Sequence, residues 1–266
     1  MPQIHPTAIV APGAVLADDV AIGPYSTVGE EVRLGAGVVL RSHVVIDGRT
    51  TIGEGTRIFP FASIGPEPQD LKYRGEPSSL VIGRNNTIRE YVTMNPGTEG
   101  GGMVTRVGDN GLFMVGVHIA HDCQVGDHVV LANNATLGGH VIVEDYAFLG
   151  GLSAVHQFVR IGRHAMIGGM SGVERDVIPY GQVMGDRARL TGLNIIGMQR
   201  RGFSREDIQG LRSAYQFLFS ADGTFNDRVN EVAERFGDIG PVADILSFIR
   251  ADSNRAICQP KGANGG

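Results

Sequence analysis

The stretch Ile4-His5-Pro6-Thr7-Ala8-Ile9-Val10-Ala11-Pro12-Gly13-Ala14-Val15-Leu16 decides the fold, because an aliphatic residue returns at every sixth place. Continued outward in sixes, the column reads Ile22, Val28, Leu34, Leu40, Ile46, Ile52, Ile58 and Ile64. It resumes at Ile82, Ile88 and Met94. After a shift it runs through Val107, Phe113, Ile119, Val125, Leu131, Leu137, Val143, Leu149, Val155, Ile161, Ile167 and Val173. Four places after these stand small or β-branched residues, among them Ala8, Val20, Ser26, Thr50, Ala62, Cys123, Ala135, Ala147, Ser153 and Ala165. Glycine often follows the aliphatic residue, as at Gly23, Gly53, Gly108, Gly126 and Gly162. A period of six matches neither a 3.6-residue helix nor a hairpin. It matches short strands joined by turns, with glycine supplying permissive backbone. Three sixes close one triangular coil of about 18 residues, and coils stack about 4.8 Å apart with both columns pointing inward. The expected fold is an all-β parallel solenoid.

Composition agrees with this. Glycine supplies 39 of 266 residues, tryptophan is absent and charged residues are only 19%, a skew that a glycine-using repeat explains better than disorder does. A net charge of −5 with no strongly basic face argues against a nucleic-acid partner. No apolar run is long enough for a membrane span. The opening Met1-Pro2-Gln3-Ile4-His5 lacks the charged and apolar regions of a secretory signal, so a cytoplasmic location is expected. Cys123 and Cys258 are too few for a disulfide framework or a thiolate zinc site.

Two segments interrupt the repeat: Gly65 to Val81, and Asn95 to Arg106 with its run Gly100-Gly101-Gly102. Insertions in a solenoid project from one face and often carry function. After Pro179 the hexads stop. Ser204-Arg205-Glu206-Asp207 then reads as a helix start, followed by helical spacing at Ile208, Leu211, Tyr215 and Leu218 and later at Val229, Val232, Phe236, Ile245, Leu246 and Ile249. The division is therefore a solenoid over 1–186 and a C-terminal α-helical domain over 187–266, with Gln259 to Gly266 expected to be disordered.

The phase also sorts residues by direction. All eight histidines fall outside the inward columns. His121 and His140 lie one coil plus one residue apart, Gly139 lies one coil after His121, and Gln157 one coil after Gly139. These residues and His156 form a polar ridge on one face. Cys123 falls in the small inward column and reads as a buried spacer. His5, His43, His128 and His164, outward and isolated, read as solvated.

The hexads resemble those of the hexapeptide-repeat family of left-handed parallel β-helices over about residues 4 to 184; the handedness comes from that resemblance alone. More specific strings are His118-Ile119-Ala120-His121-Asp122-Cys123, Leu131-Ala132-Asn133-Asn134-Ala135-Thr136-Leu137, Val155-His156-Gln157-Phe158, Gln69-Asp70-Leu71-Lys72-Tyr73 and Arg200-Arg201-Gly202-Phe203-Ser204. Together they are similar to those of the UDP-N-acetylglucosamine O-acyltransferases. These move a 3-hydroxyacyl chain from acyl carrier protein to the sugar 3-position, the first step of lipid A biosynthesis.

The resemblance implies that His121 is the general base, held by Asp122, and that the Gly139 N–H stabilises the oxyanion. It implies direct transfer without an acyl-enzyme, and no metal or bound cofactor beyond the acyl carrier protein thioester that serves as donor. Substrate contacts fall to Asp70, Lys72, His118, His140, His156, Gln157, Asn194, Arg200 and Arg201. Ile196 stands where the family often has an acidic residue near uridine. Met166 and Gly169 match the acyl-chain pocket, where glycine implies a long chain. Met94 and Asn95 depart from the common family string and mark acceptor selectivity, a 3-amino sugar being the alternative to the 3-hydroxyl. The implied assembly is a homotrimer with sites between chains. Acyl carrier protein would dock at a local patch of Arg200, Arg201 and Arg205. Two other enzymes on the same fold are the alternatives: an acetyl-CoA-dependent sugar acetyltransferase and a γ-carbonic-anhydrase-like zinc enzyme, the second suggested by the H-x-x-H spacing of His118 and His121. A non-catalytic scaffold would explain the repeat but not the ridge.

Overall fold

A computed structural model describes residues 1–220 and 223–261. The hexads form three sheets of eleven, nine and eight strands, each strand pairing with its counterpart one coil on. Among the described residues all strand pairings are parallel except the closing hairpin of Gly181–Met184 with Arg189–Leu193. Leu40 pairs with Ile58, 18 residues on, whereas Ile58 pairs with Ile88 and Ile88 with Phe113. The two longer steps are the coils that carry the insertions. Both insertions end sooner than expected, at Ser78 and Met103, because four-residue strands Ser79–Ile82 and Val104–Val107 extend the third sheet there. The domain boundary also moves. Arg189–Leu193 still belongs to the first sheet, and the helices begin after it.

Inside the prism the aliphatic column is buried from Ile22 to Val173, while Ile4 is 43% exposed because no coil lies beneath it. The small column is buried with it, including Thr50, Ala62, Cys123 and Ala135. The glycines after the aliphatic residues have a different reason from the one expected. Their φ is not positive. A Cβ on Gly53 would lie 2.6 Å from the Gly83 carbonyl carbon, and one on Gly108 2.7 Å from that of Gly126. Stacked backbones approach too closely for a side chain.

The left-handed backbone falls instead on corner residues that are mostly not glycine. Tyr25, His43, Phe61 and Tyr91 have φ between 57° and 66°. Each such residue costs roughly 1–2 kcal/mol. Their rings stack at 5.1–5.2 Å, and aromatic pairs contribute about 0.5–1.5 kcal/mol each, so stacking offsets much of the strain. A second corner stacks His128, Tyr146, His164 and Tyr180 at 4.6–5.2 Å. His164 is therefore not solvated; it is 9% exposed and its Nδ1 has no hydrogen-bond partner among the described residues. Burial, with Arg201 and Arg163 nearby, lowers its pKa to about 4. The unfolded chain then binds a proton that the folded one refuses, so stability falls as pH drops from about 6.5 toward 4. The expected loss is about 1–3 kcal/mol, absent in His164→Phe. Denaturant titrations of both proteins at pH 7 and pH 5 check this.

Four helices follow: α1 (Ile195–Arg200), α2 (Arg205–Leu218), α3 (Phe225–Phe236) and α4 (Gly240–Arg250). Ser204 caps α2 by accepting from the Asp207 N–H, and Thr224 with Asp227 makes a reciprocal capping box on α3. The buried faces are Ile208, Leu211 and Leu218 on α2, Val229 and Val232 on α3, and Ile245 and Leu246 on α4. Among the described residues no helix is long and apolar enough to cross a membrane. The tail is ordered further than expected. Leu190 N–H donates to Gln259 O and Ile257 bridges Asp176, so the chain lies along the solenoid to Lys261; residues 262–266 lie outside the described residues.

Candidate active site

One corner of the prism joins the second sheet to the third, and the ridge occupies it. The strand His118–Ile119 ends there, and Ala120, His121 and Asp122 make the turn into Gln124–Val125. Asp122 takes the left-handed turn position, φ 62°. That conformation turns its carboxylate back on its neighbour: His121 Nδ1 lies 2.8 Å from Asp122 Oδ2. His121 is 7% exposed and Asp122 4%. Since an ionised carboxylate can only accept, the proton sits on Nδ1 and the Nε2 lone pair is left available.

The second insertion closes over the carboxylate. Thr98 donates its N–H to Asp122 Oδ1 at 2.8 Å and its hydroxyl to Oδ2 at 2.6 Å, while Asp122 N–H donates to Thr105 Oγ1 at 2.7 Å. Gly101 lies so close that a Cβ there would fall 1.9 Å from Asp122 Cγ. The glycine run thus has a reason at its middle member, and Thr98, Thr105 and Gly101 are functional neighbours that the spacing did not show. Thr98 stands four residues into a loop with no periodicity to aim it.

One coil on, Gly139 faces the His121 ring; a Cβ would fall 2.5 Å from Cε1. The Gly139 N–H has no acceptor among the described residues. His140 is stacked on Phe158 at 4.4 Å and meets His121 edge-on at 5.1 Å. Burial lowers the His140 pKa, Asp122 opposing and His121 adding to the shift. Burial and then His121 also lower that of His118, whose Nδ1 is 2.7 Å from Thr93 Oγ1. Both rings are therefore neutral at neutral pH. In the first insertion the Lys72 N–H donates to Asp70 Oδ1, which holds the Asp70 pKa down, and the fields of His121 and His140 lower it further.

Other expected residues lie elsewhere. His156 and Gln157 share the corner, two coils above His121, and are exposed. Asn194 caps α1 through Gly197 N–H and donates to His164 O at 2.9 Å, at the corner of the third and first sheets. Arg201 lies over the Tyr146 ring at that same corner. Arg200, Arg205 and Ile196 are exposed beside it. Met166 lies on the first sheet, with exposed Gly169 at the third corner. Met94, expected to mark acceptor selectivity, is instead fully buried in the core and cannot touch an acceptor. Asn95 is 5% exposed and donates to Pro66 O and Glu67 O, both at 3.1 Å, so it props the first insertion. Cys123 is buried, its thiol pushed up to about 12 while donating to Gly138 O, which leaves no thiolate for nucleophilic chemistry.

His121, Asp122 and His140 present ligand atoms within 4.8 Å of one another. The set suits a metal poorly, because Asp122 Oδ2 already binds His121 Nδ1 and the Thr98 hydroxyl. Zinc would have to break the dyad to enter.

Stacked parallel coils with a buried histidine–carboxylate pair at one corner define a hexapeptide-repeat acyltransferase. Residues 13–48 and 105–139 match the bacterial transferase hexapeptide model, and residues 176–258 match UDP-N-acetylglucosamine O-acyltransferase domain 2. The chain is 56% identical over 259 residues to the acyl-(acyl-carrier-protein)–UDP-N-acetylglucosamine O-acyltransferase of Caulobacter vibrioides, covering 97% of this chain and 98% of that one. The Rickettsia prowazekii enzyme of the same name is 55% identical with the same coverage. Among solved structures, that from Acinetobacter baumannii superposes with a TM-score of 0.92 at 43% identity, covering 97% of this chain and 100% of that one. The Francisella novicida structure gives 0.93 at 36% identity, covering 98% and 95%. The chain belongs to the UDP-N-acetylglucosamine O-acyltransferase family and has its left-handed parallel β-helix with a C-terminal helical domain.

Proposed function

We propose that His121 is the general base by which this chain moves a 3-hydroxyacyl group from acyl carrier protein to the 3-hydroxyl of UDP-N-acetylglucosamine. The chain is an acyl carrier protein-dependent O-acyltransferase acting at the first step of lipid A biosynthesis. The observation that carries the residue roles is the His121–Asp122 pair beneath the Gly139 N–H, which has no acceptor among the described residues. His121 Nε2 takes the hydroxyl proton as the sugar oxygen attacks the thioester carbonyl. The Gly139 N–H donates to the oxyanion that forms. On collapse the C–S bond breaks, and the imidazolium returns its proton to the leaving thiolate. No covalent bond to the protein forms. Transfer from 3-hydroxyacyl carrier protein to UDP-N-acetylglucosamine and to its 3-amino analogue tests the reading. Preference for the hydroxyl sugar is expected, since Asn95 faces the insertion loop and no longer argues for an amine. Failure with both sugars refutes the substrate assignment.

Arg201 and Asn194 stand at a different corner from His121, and the ruler position Gly169 at the third. A nucleotide sugar and acyl chain bridging all three needs corners of two chains, which supports the homotrimer; sedimentation giving a monomer or dimer counts against it. A groove of about 850 Å³ on the single chain lies away from the ridge, beside His5, Arg41 and Phe59, and does not supply the missing wall. Gly169 leaves room at the end of the acyl chain, so a long chain, nearer 14 carbons than 10, is expected. Gly169→Met should reverse the preference toward the shorter chain by roughly tenfold or more, on the order of 0.8 kcal/mol per excluded methylene, measured as the ratio of kcat/KM for the two donors. Acyl carrier protein would dock by local charge at Arg200 and Arg205, and added salt should raise its KM.

A further inference from the structure

We infer that Arg255, carried by the C-terminal strap, is a positioning residue that orients the His156 ring and fixes its tautomer, with Nδ1 accepting and the hydrogen on Nε2. The strap leaves α4, runs back along the solenoid and is tied to Asp176. Ser253 Oγ donates to Asp176 Oδ2 at 2.6 Å, and the Asp176 N–H and O pair with Ala256 and Cys258. That anchorage brings Arg255 to the ridge, 99 residues from His156 in sequence. One guanidinium arm reaches His156 Nδ1 at 2.7 Å and Nε reaches Gln157 O at 3.2 Å.

Arginine has donors only and stays charged. A proton on His156 Nδ1 would therefore oppose a guanidinium proton across 2.7 Å. The ring could otherwise give that proton to Gln157 O, which is 3.2 Å away. The shorter, charge-assisted contact prevails, so Nδ1 accepts and Nε2 keeps its hydrogen. An exposed imidazole is thereby made a one-way donor, held in orientation by the fork. Such a group suits a phosphate or sugar oxygen of the nucleotide substrate. This rests on the reading of the ridge as a nucleotide-sugar surface.

The test uses the full-length protein with 15N-labelled histidine. In the wild type His156 should show the Nε2–H tautomer in its ring-nitrogen shifts. Arg255→Met should move it toward the Nδ1–H form, now free to donate to Gln157 O. It should also raise KM for UDP-N-acetylglucosamine roughly tenfold, the size of one charge-assisted hydrogen bond, with kcat little changed. Arg255→Lys, which keeps charge but loses the fork, should lie between them. An unchanged tautomer in Arg255→Met overturns the inference. If His156→Ala raises KM and Arg255→Met does not, the positioning role fails while the ridge reading stands. If His156→Ala leaves KM unchanged, the nucleotide reading of the ridge itself has failed.

Discussion

Replacing His121 by alanine should lower kcat by about 10²–10⁴, the usual contribution of one general base, or roughly 3–5 kcal/mol of barrier. The protein should remain folded, because Asp122 keeps both of its hydrogen bonds from Thr98. KM for the nucleotide sugar should change far less than kcat, since the proton moves in the transition state and binding energy comes mainly from elsewhere on the substrate. Asp122→Asn should be the milder lesion. An amide can still hold the ring, but it can donate to Nδ1, which places the proton on Nε2 and removes the base lone pair in part of the population. The result that sinks the assignment is specific: His121→Ala with more than a tenth of wild-type kcat and an unchanged melting curve. Catalysis would then rest on orientation and on the Gly139 N–H alone.

How far this site was legible depends on which part of the chain supplies each group. His121, Gly139 and Gln157 sit 18 residues apart, so periodicity alone put them at one corner, and the inward phase of Cys123 alone removed it from the nucleophiles. The same phase places Met94 inward, a better physical signal than the departure from the family string that marks it for acceptor selectivity. Thr98, Gly101 and Arg255 were invisible because they arrive from an insertion and a tail whose paths have no repeat. Their partners are 24, 21 and 99 residues away. The glycines stand out in the sequence, but their reason does not. A turn and a close backbone approach both favour glycine, and only the distance between coils tells them apart. Conversely, many of the corner residues that do adopt positive φ are tyrosine, histidine and phenylalanine, whose stacking is a property of neighbouring coils and not of any single hexad.

Asp176→Ala should be among the most destabilising single substitutions outside the aliphatic column. The carboxylate is fully buried. It accepts from Arg160 N at 2.8 Å, Arg160 Nε at 2.7 Å and the Ser253 hydroxyl at 2.6 Å. Arg160 is itself only 12% exposed and its guanidinium lies over the Phe248 ring of α4 at 4.3 Å. Removing the acid strands a cation between the solenoid and the helical domain, which costs about 3–5 kcal/mol when one member of a buried pair is deleted. At roughly 2–4 °C per kcal/mol for a chain of this size the melting temperature should fall by about 10 °C. The strap should loosen at the same time, since Ser253 loses its acceptor, and protease cleavage near residues 251–256 should precede global unfolding. Arg160→Met with Asp176→Leu removes both charges and should recover much of the loss, because two apolar groups leave nothing unpaired. A single Asp176→Ala protein that melts with the wild type would mean that water reaches Arg160, and that the helical domain is held by its apolar contacts and by the Tyr180–Asp244 hydrogen bond at 2.5 Å without help from the ion pair.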